Sequence, residues 1–374
     1  MQLLGRQGRF RHGRQIKDTA SITLKGASLK GFLLALLCLE LVGGALVACR
    51  QSDRPHPEPQ AQTQTQTGQL SAATAIPAPP ITRPTPFESL PAPEAPQIDG
   101  KLLMAREGSL WRWESGRLER ITNGERFEDP AWSPDGRLIA ATLVGDNHSD
   151  VVLLDEHGVL ASQLTRNWSS VSVRESNWAR HPAWSPDGST IAYCSDATTT
   201  DLALWVMDAD GRNPRMVVQP LGNGGNDWPA WSPNGLYIAF SAFVSPVSQI
   251  YVVEAKSGEI KQLTDQSGGA YAPAWSPDGK RIAYVARNGA KDDIWVIGAD
   301  GTGAIPLTQS GVSASPTWSP DGQHLAYVTL FGGGFDVEAA RLEFDARGAS
   351  KVAQTWRLTR EAQLEAPAGL SWTR

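Results

Sequence analysis

Cysteine is nearly absent: three occur in 374 residues. Cys38 and Cys49 lie within the first 49 residues, so Cys194 stands alone beyond them and no disulfide can form there. Positive charge is outnumbered beyond the first 48 residues. Those carry seven basic and two acidic residues, while the whole chain has a formal charge of −5, which leaves −10 for the remainder. Phosphate contacts demand Lys and Arg, so nucleic acid is excluded as a partner. Catalytic signatures are missing as well. The chain has no Gly-x-Ser-x-Gly elbow, no P-loop, no His-Glu-x-x-His and no cysteine pair with zinc spacing. Its six histidines are scattered: His12 and His56 near the start, then His148, His157, His181 and His324 in separate segments. No metal site and no cofactor is expected from this pattern. Asp-Gly clusters such as Asp208–Gly211 read as turns, because they lack the alternating carboxylates of a calcium loop.

What the chain has instead is repetition. Trp-Ser-Pro-Asp-Gly starts at Trp132, Trp184, Trp275 and Trp318, and with Asn for Asp at Trp231, giving steps of 52, 47, 44 and 43 residues. Pro presets φ, Asp bonds its own backbone and Gly takes the left-handed angle, so each copy is a turn between two strands. After the turn, Ile282 and Tyr284 should face one side of a sheet and Ala283 the other. A third strand comes next, as in Leu204–Met207, Ile250–Val253 and Ile294–Ile297. A Gly-containing turn then leads to a fourth that ends in Leu-Thr at 164–165, 263–264, 307–308 and 358–359. Four short antiparallel strands in about 40–45 residues make a propeller blade.

The two ends supply complementary halves. Ile98–Ala105 matches the turn and second strand without the Trp strand, whereas Leu370–Arg374 matches the Trp strand without the turn. Together they make a sixth blade, with three strands from the N-terminal side and the innermost from the C-terminal side. The expected fold is therefore all-β, a six-bladed propeller over residues 98–374, closed so that no sheet edge is left open.

These five near-identical motifs resemble the TolB-type β-propeller, a repeat also seen in the propeller of prolyl-oligopeptidase-like peptidases. The resemblance covers about residues 98–374. It implies the fold. The family's namesake carries an N-terminal α/β domain for which residues 1–97 have neither the length nor the pattern.

Residues 1–48 read as an export signal. A basic stretch precedes the apolar run Gly31–Ala48, interrupted only by Glu40, and Leu46-Val47-Ala48-Cys49 resembles a bacterial lipobox. Cys49 would then carry the lipid; the other reading of the run is an uncleaved anchor helix. Residues 49–97, rich in Pro, Gln and Thr, form a linker with too little apolar surface to fold. Either reading puts the propeller on the extracytoplasmic side of a membrane, at the cell surface or in the periplasm.

Fourteen tryptophans are unusual. Trp132, Trp184, Trp231, Trp275, Trp318 and Trp372 hold the repeat position and Trp111, Trp205 and Trp295 the third-strand position, so these nine are expected in the core. Trp113 and Trp356 also fall in strands. Trp168, Trp178 and Trp228 remain, in connections between one blade and the next, on the face opposite the Pro-Asp-Gly turns. Those connections also carry Arg174, Arg180, His181, Asn226, Asp227 and Tyr271. Aromatic side chains among adaptable polar ones are what binding surfaces enrich. These nine residues are the candidate binding site; capping of the blades is the alternative role for the tryptophans. The functional reading is a surface-anchored, non-enzymatic binding module for an envelope protein or extracellular ligand. Its rivals are a sugar or lactone lyase or hydrolase with a site at the propeller axis, and a structural part of an envelope complex.

Overall fold

In a computed structural model of the chain, the described residues are 98–374, apart from 125, 170–175, 245, 345–349, 361 and 365–368. The proposed signal, Cys49, the linker and Arg174 lie outside them. The described residues contain no helix; they form six four-stranded antiparallel sheets. Five sheets take their strands consecutively from the chain. The sixth joins Leu370–Thr373 to the strands Lys101–Arg106, Ser109–Glu114 and Arg117–Arg120. We number this blade 1, and blades 2 to 6 come after it in chain order.

The turn motif works through its serine. In blade 2, Ser133 Oγ donates to Asp135 Oδ1 at 2.7 Å and accepts from the Leu138 N–H at 2.9 Å. Gly136, at φ 68°, closes the turn by donating to the Ser133 carbonyl at 2.9 Å. Asn234 serves in blade 4 because only its Oδ1 is needed, to accept from Ser232 and from the Leu236 N–H. The Ser133 hydroxyl and the Arg137 N–H together hold Asp135 below the usual carboxylate range. The terminal Leu-Thr has a matching task. Thr165, Thr264, Thr308 and Thr359 each accept, through Oγ1, an N–H from within the neighbouring strand, that of Val151, Ile250, Ile294 or Val337, at 2.9 Å. Each then donates to a partly or fully buried Asp150, Gln249, Asp293 or Asp336. Those inward acids are therefore structural.

Alternation sorts the core as expected. Ile282 and Tyr284 of blade 5 join a cluster with Ala239 and Ile250 of blade 4, while Ala283 and Val285 join Trp318 and Leu325 of blade 6. Each blade thus buries both faces against different neighbours, and the hydrophobic effect drives ring formation as much as blade formation. The nine repeat and third-strand tryptophans divide. Trp111, Trp132, Trp318 and Trp372 are buried, but Trp184, Trp205, Trp231, Trp275 and Trp295 are half-buried, packed against the edges of the core clusters.

Closure rests on the last strand. Leu102 pairs with Trp372, whose indole N–H donates to the Asp99 carbonyl at 3.2 Å. Trp372 also joins a cluster that runs from Leu102 and Trp113 of blade 1 to Val328 and Val337 of blade 6. Losing a buried Trp costs about 3–5 kcal/mol. Trp372→Ala should therefore lower the urea-unfolding free energy by that amount, and deletion of residues 370–374 by more. An unchanged midpoint in both variants would contradict closure by this strand.

Candidate functional site at the channel mouth

The six innermost strands surround the axis: Phe127–Trp132, Ala179–Trp184, Asn226–Trp231, Ala270–Trp275, Ala314–Trp318 and Leu370–Thr373. Five of them break register at one place, between Glu128 and Ala131 in blade 2 and at the equivalent step in blades 3 to 6. The break is a bulge whose first residue precedes proline. That residue is left-handed every time: Asp129 (φ 50°), His181 (53°), Trp228 (53°), Ala272 (52°) and Ser315 (51°), with Gly369 (60°) completing the ring in blade 1. A residue before proline normally stays extended, so only a shared architectural demand explains five exceptions. Because Ala272 and Ser315 conform too, the strain belongs to the blade and not to any one chemistry.

The ring of six residues is lopsided. Asp129, His181 and Trp228 are large and polar or aromatic; Ala272, Ser315 and Gly369 are small. Together they line a cavity of about 230 Å³ on the axis, with the prolines and alanines that succeed them forming its deeper wall. A second cavity continues towards the Pro-Asp-Gly face, lined by Trp132, Trp318, Trp372 and Arg374.

His181 is the centre of the polar half. It is 8 % exposed and lies between two carboxylates. Its Nε2 is 3.4 Å from Asp129 Oδ1, and its Nδ1 is hydrogen-bonded to Asp227 Oδ1. Trp228 stacks on the imidazole, with centroids 3.9 Å apart. Thr142 ties the group together: its Oγ1 donates to Asp129 Oδ2 at 3.0 Å and accepts from the His181 N–H at 3.2 Å. Burial alone would lower the imidazole pKa, but Asp129 and Asp227 outweigh it and push it up to about 10. Burial would raise the Asp227 carboxyl; His181, with help from Arg180, holds it below its ordinary value instead. His181 therefore stays an imidazolium at neutral pH with both N–H groups committed. Among the described residues no group of three or more His, Cys, Asp or Glu side chains is arranged to hold a metal ion.

Of the nine residues singled out in the sequence, His181, Asp227 and Trp228 meet here. Trp228 lies within the innermost strand of blade 4 rather than in the connection before it. Arg180, half-buried, immediately precedes His181 in its strand. Tyr271 occupies the equivalent place in blade 5, where its hydroxyl accepts from Arg287 at 3.1 Å and Arg287 pairs with Asp292. Asn226 is fully buried and pins its own loop, donating to the Gln219 carbonyl and accepting from the Leu221 N–H. Trp178 is half-buried, with its backbone N–H on Asp196, and does not line the cavity. Trp168 is 61 % exposed, away from it. The histidines are scattered along the sequence, yet His181 is buried at the axis. Asp129 and the small residues of the ring were missed. Aligning the five repeats on the residue before the first proline would have found them, since that column reads Asp, His, Trp, Ala, Ser.

Comparison with known proteins agrees with this architecture. Residues 196–342 match the TolB beta propeller domain. An uncharacterized protein of Agrobacterium fabrum is 31% identical over 180 residues, 46% of this chain and 57% of that one. The Tol-Pal system protein TolB of Methylococcus capsulatus is 42% identical over 65 residues, 17% of this chain and 15% of that one. The crystal structure of TolB from Acinetobacter baumannii superposes with a TM-score of 0.59 at 19% identity, covering 74% of this chain and 67% of that one. The chain thus spans little more than half of the first of these curated relatives and far less of the second.

The imidazolium gives a testable pH dependence. A histidine whose folded pKa is raised contributes stability fully below its unfolded pKa, about 6.5, and loses it as pH rises through the folded value of about 10. The lowered Asp227 belongs to the same ion pair, so the two effects are not additive. The melting temperature of the wild type should therefore fall more between about pH 6.5 and 10 than that of His181→Gln. Parallel curves for the two proteins would show that the clamp does not contribute.

Proposed function

We propose that this TolB-type propeller is a non-enzymatic binding module of the cell envelope that takes a protein partner at the mouth of its central channel. The lopsided ring carries the reading: one half offers a fixed ion pair and an indole, and the other half leaves room for a guest. A rigid clamp at the end of a closed β-ring is already organised for binding, which limits the entropy lost on association. Hydrolytic or lyase chemistry fits it less well. A general base must be free to take a proton, and an imidazolium pinned between two carboxylates is not. The similar TolB of Methylococcus capsulatus is by name a Tol-Pal system protein, which supports the envelope reading.

The same proposal includes export by residues 1–48, a lipid on Cys49 and a tether over residues 49–97 that holds the propeller on the extracytoplasmic side of a membrane. A diacyl anchor provides the two chains that stable attachment needs. Cys49→Ser should appear as a soluble or unprocessed form; membrane-bound, processed protein in the variant would refute the lipid anchor.

The binding reading is tested by capture from detergent extracts of native membranes with the full chain as bait. Trp228→Ala should weaken recovery of the partner by about 2 kcal/mol or more, as for an interface hot spot, with the melting temperature little changed. Equal recovery by wild type and a folded Trp228→Ala protein would rule the mouth out.

A further inference from the structure

We propose that the groove between blades 4 and 5, at the Pro-Asp-Gly turns and off the axis, is a second binding site that takes a neutral sugar unit. This goes beyond the channel-mouth reading and does not depend on it.

Strand register identifies equivalent places in each groove. Leu102, Ile238 and Ile282 pair with the repeat tryptophans Trp372, Trp231 and Trp275. Lys101, Tyr237 and Arg281, each one residue earlier, therefore correspond. On the next strand out, Arg112 of blade 1 corresponds to Val252 of blade 4, because they pair with Leu103 and Ala239.

Elsewhere the chain fills this groove with its own side chains. Between blades 1 and 2, Lys101 lies 5.9 Å from the centre of the Trp132 ring and pairs with Glu156 at 3.0 Å. Arg112 donates to the Glu156 carbonyl at 3.1 Å and pairs with Glu119 at 3.0 Å. Between blades 5 and 6, Arg281 lies 3.8 Å over the Phe344 ring. Between blades 4 and 5, Lys261 reaches the Asp300 carbonyl at 2.8 Å, but Val252 is too short to bridge, and Tyr237 is left 38 % exposed. A cavity of about 530 Å³ remains, within the roughly 300–1,000 Å³ of ordinary small-molecule pockets.

The lining defines the guest. Tyr237 from blade 4 and Trp275 from blade 5 supply two aromatic surfaces, and Val252 and Leu263 add apolar area. Glu254 and Glu259 supply acceptors. Lys261 has N–H donors beyond the one given to Asp300, and Asn234, whose Oδ1 serves its turn, retains the amide donors.

Charge selects neither sign. The acids Glu254, Glu259 and Asp300 line the cavity. Against them stand Lys261 in the lining, Arg215 on the Ala255 carbonyl at 3.2 Å and Lys280, whose carbonyl accepts from the Ala299 N–H. A phosphate would meet the two glutamates, and an ammonium would meet Lys261. A wholly apolar guest would strip water from these groups and pair none of them. A sugar ring satisfies both demands: its C–H faces lie on the aromatic rings, and its hydroxyls donate to Glu and accept from Lys and Asn.

The test is a saturation-transfer NMR titration of the full chain, solubilised in a detergent without a sugar headgroup. The probes are cellobiose, maltose, lactose and N,N′-diacetylchitobiose, with chitobiose as the cationic control and cellobiouronic acid as the anionic one. At least one neutral disaccharide should bind, and more tightly than both charged controls. Tyr237→Ala should weaken it by about tenfold or more, the size of a lost aromatic contact. Val252→Arg, which copies the side chain that fills the groove between blades 1 and 2, should abolish binding; both variants are checked for an intact melting transition. Trp228→Ala should leave sugar binding unchanged, which separates this site from the mouth. No binding by any of the neutral probes overturns the proposal. So does tighter binding of a charged control, or binding that survives in both folded groove variants. None of these results bears on partner capture at the mouth, which stands or falls with Trp228→Ala.

Discussion

One bulge, repeated around the ring, sets the form of the interior. In each innermost strand of blades 2 to 6 the residue before proline turns left-handed, and in blade 1 Gly369 does the same. Such a conformation costs about 1–3 kcal/mol at a non-glycine residue. Cooperative packing offsets it, because every blade buries both faces against its neighbours. The bulge interrupts the two-residue alternation and turns one side chain per blade to the axis. Five equivalent bulges thereby present five independently variable side chains to a single cavity, and Gly369 completes the ring.

That separation between scaffold and site explains the distribution of polar groups. The acids behind the Leu-Thr ends are consumed by threonine hydroxyls and strand N–H groups, and the Asp of the turn motif by a serine and the backbone. Asp129 and Asp227 belong to no such repeated device. They face a histidine from a third blade between them, and Thr142 fixes two of the three. Burying this trio where no repeat rule calls for it costs desolvation, which is offset only by close pairing. A group of this kind is better explained by recognition than by stability.

The architecture was legible in the chain because turn residues and the 43- to 52-residue period mark every blade. The two half-repeats at Ile98–Ala105 and Leu370–Arg374 even disclosed how the ring closes. The site was legible only in part. His181, Asp227 and Trp228 drew attention as polar and aromatic residues near blade boundaries, but Trp168 and Trp178 drew it equally and lie elsewhere. Strand alternation cannot foresee a bulge, so alternation gave no sign that residues 129, 181 and 228 converge; their shared place before the first proline of the repeat is the signal that does. Convergence around an axis is a property of closure, not of local sequence. The role of Ser133 and its equivalents escaped notice for a similar reason: a hydroxyl that bridges positions two and five residues ahead leaves no periodic trace.

The central claim is that the mouth formed by the bulge residues, rather than the Pro-Asp-Gly face, meets the partner. Photo-crosslinking in intact cells tests it most directly. Benzoylphenylalanine, close in shape to tyrosine, would replace Tyr271 at the rim of the mouth or Leu236 in the blade 4 turn on the opposite face. The account predicts a discrete protein adduct from position 271 that disappears when Trp228→Ala is added, and none from position 236. An adduct from position 236 alone would contradict it.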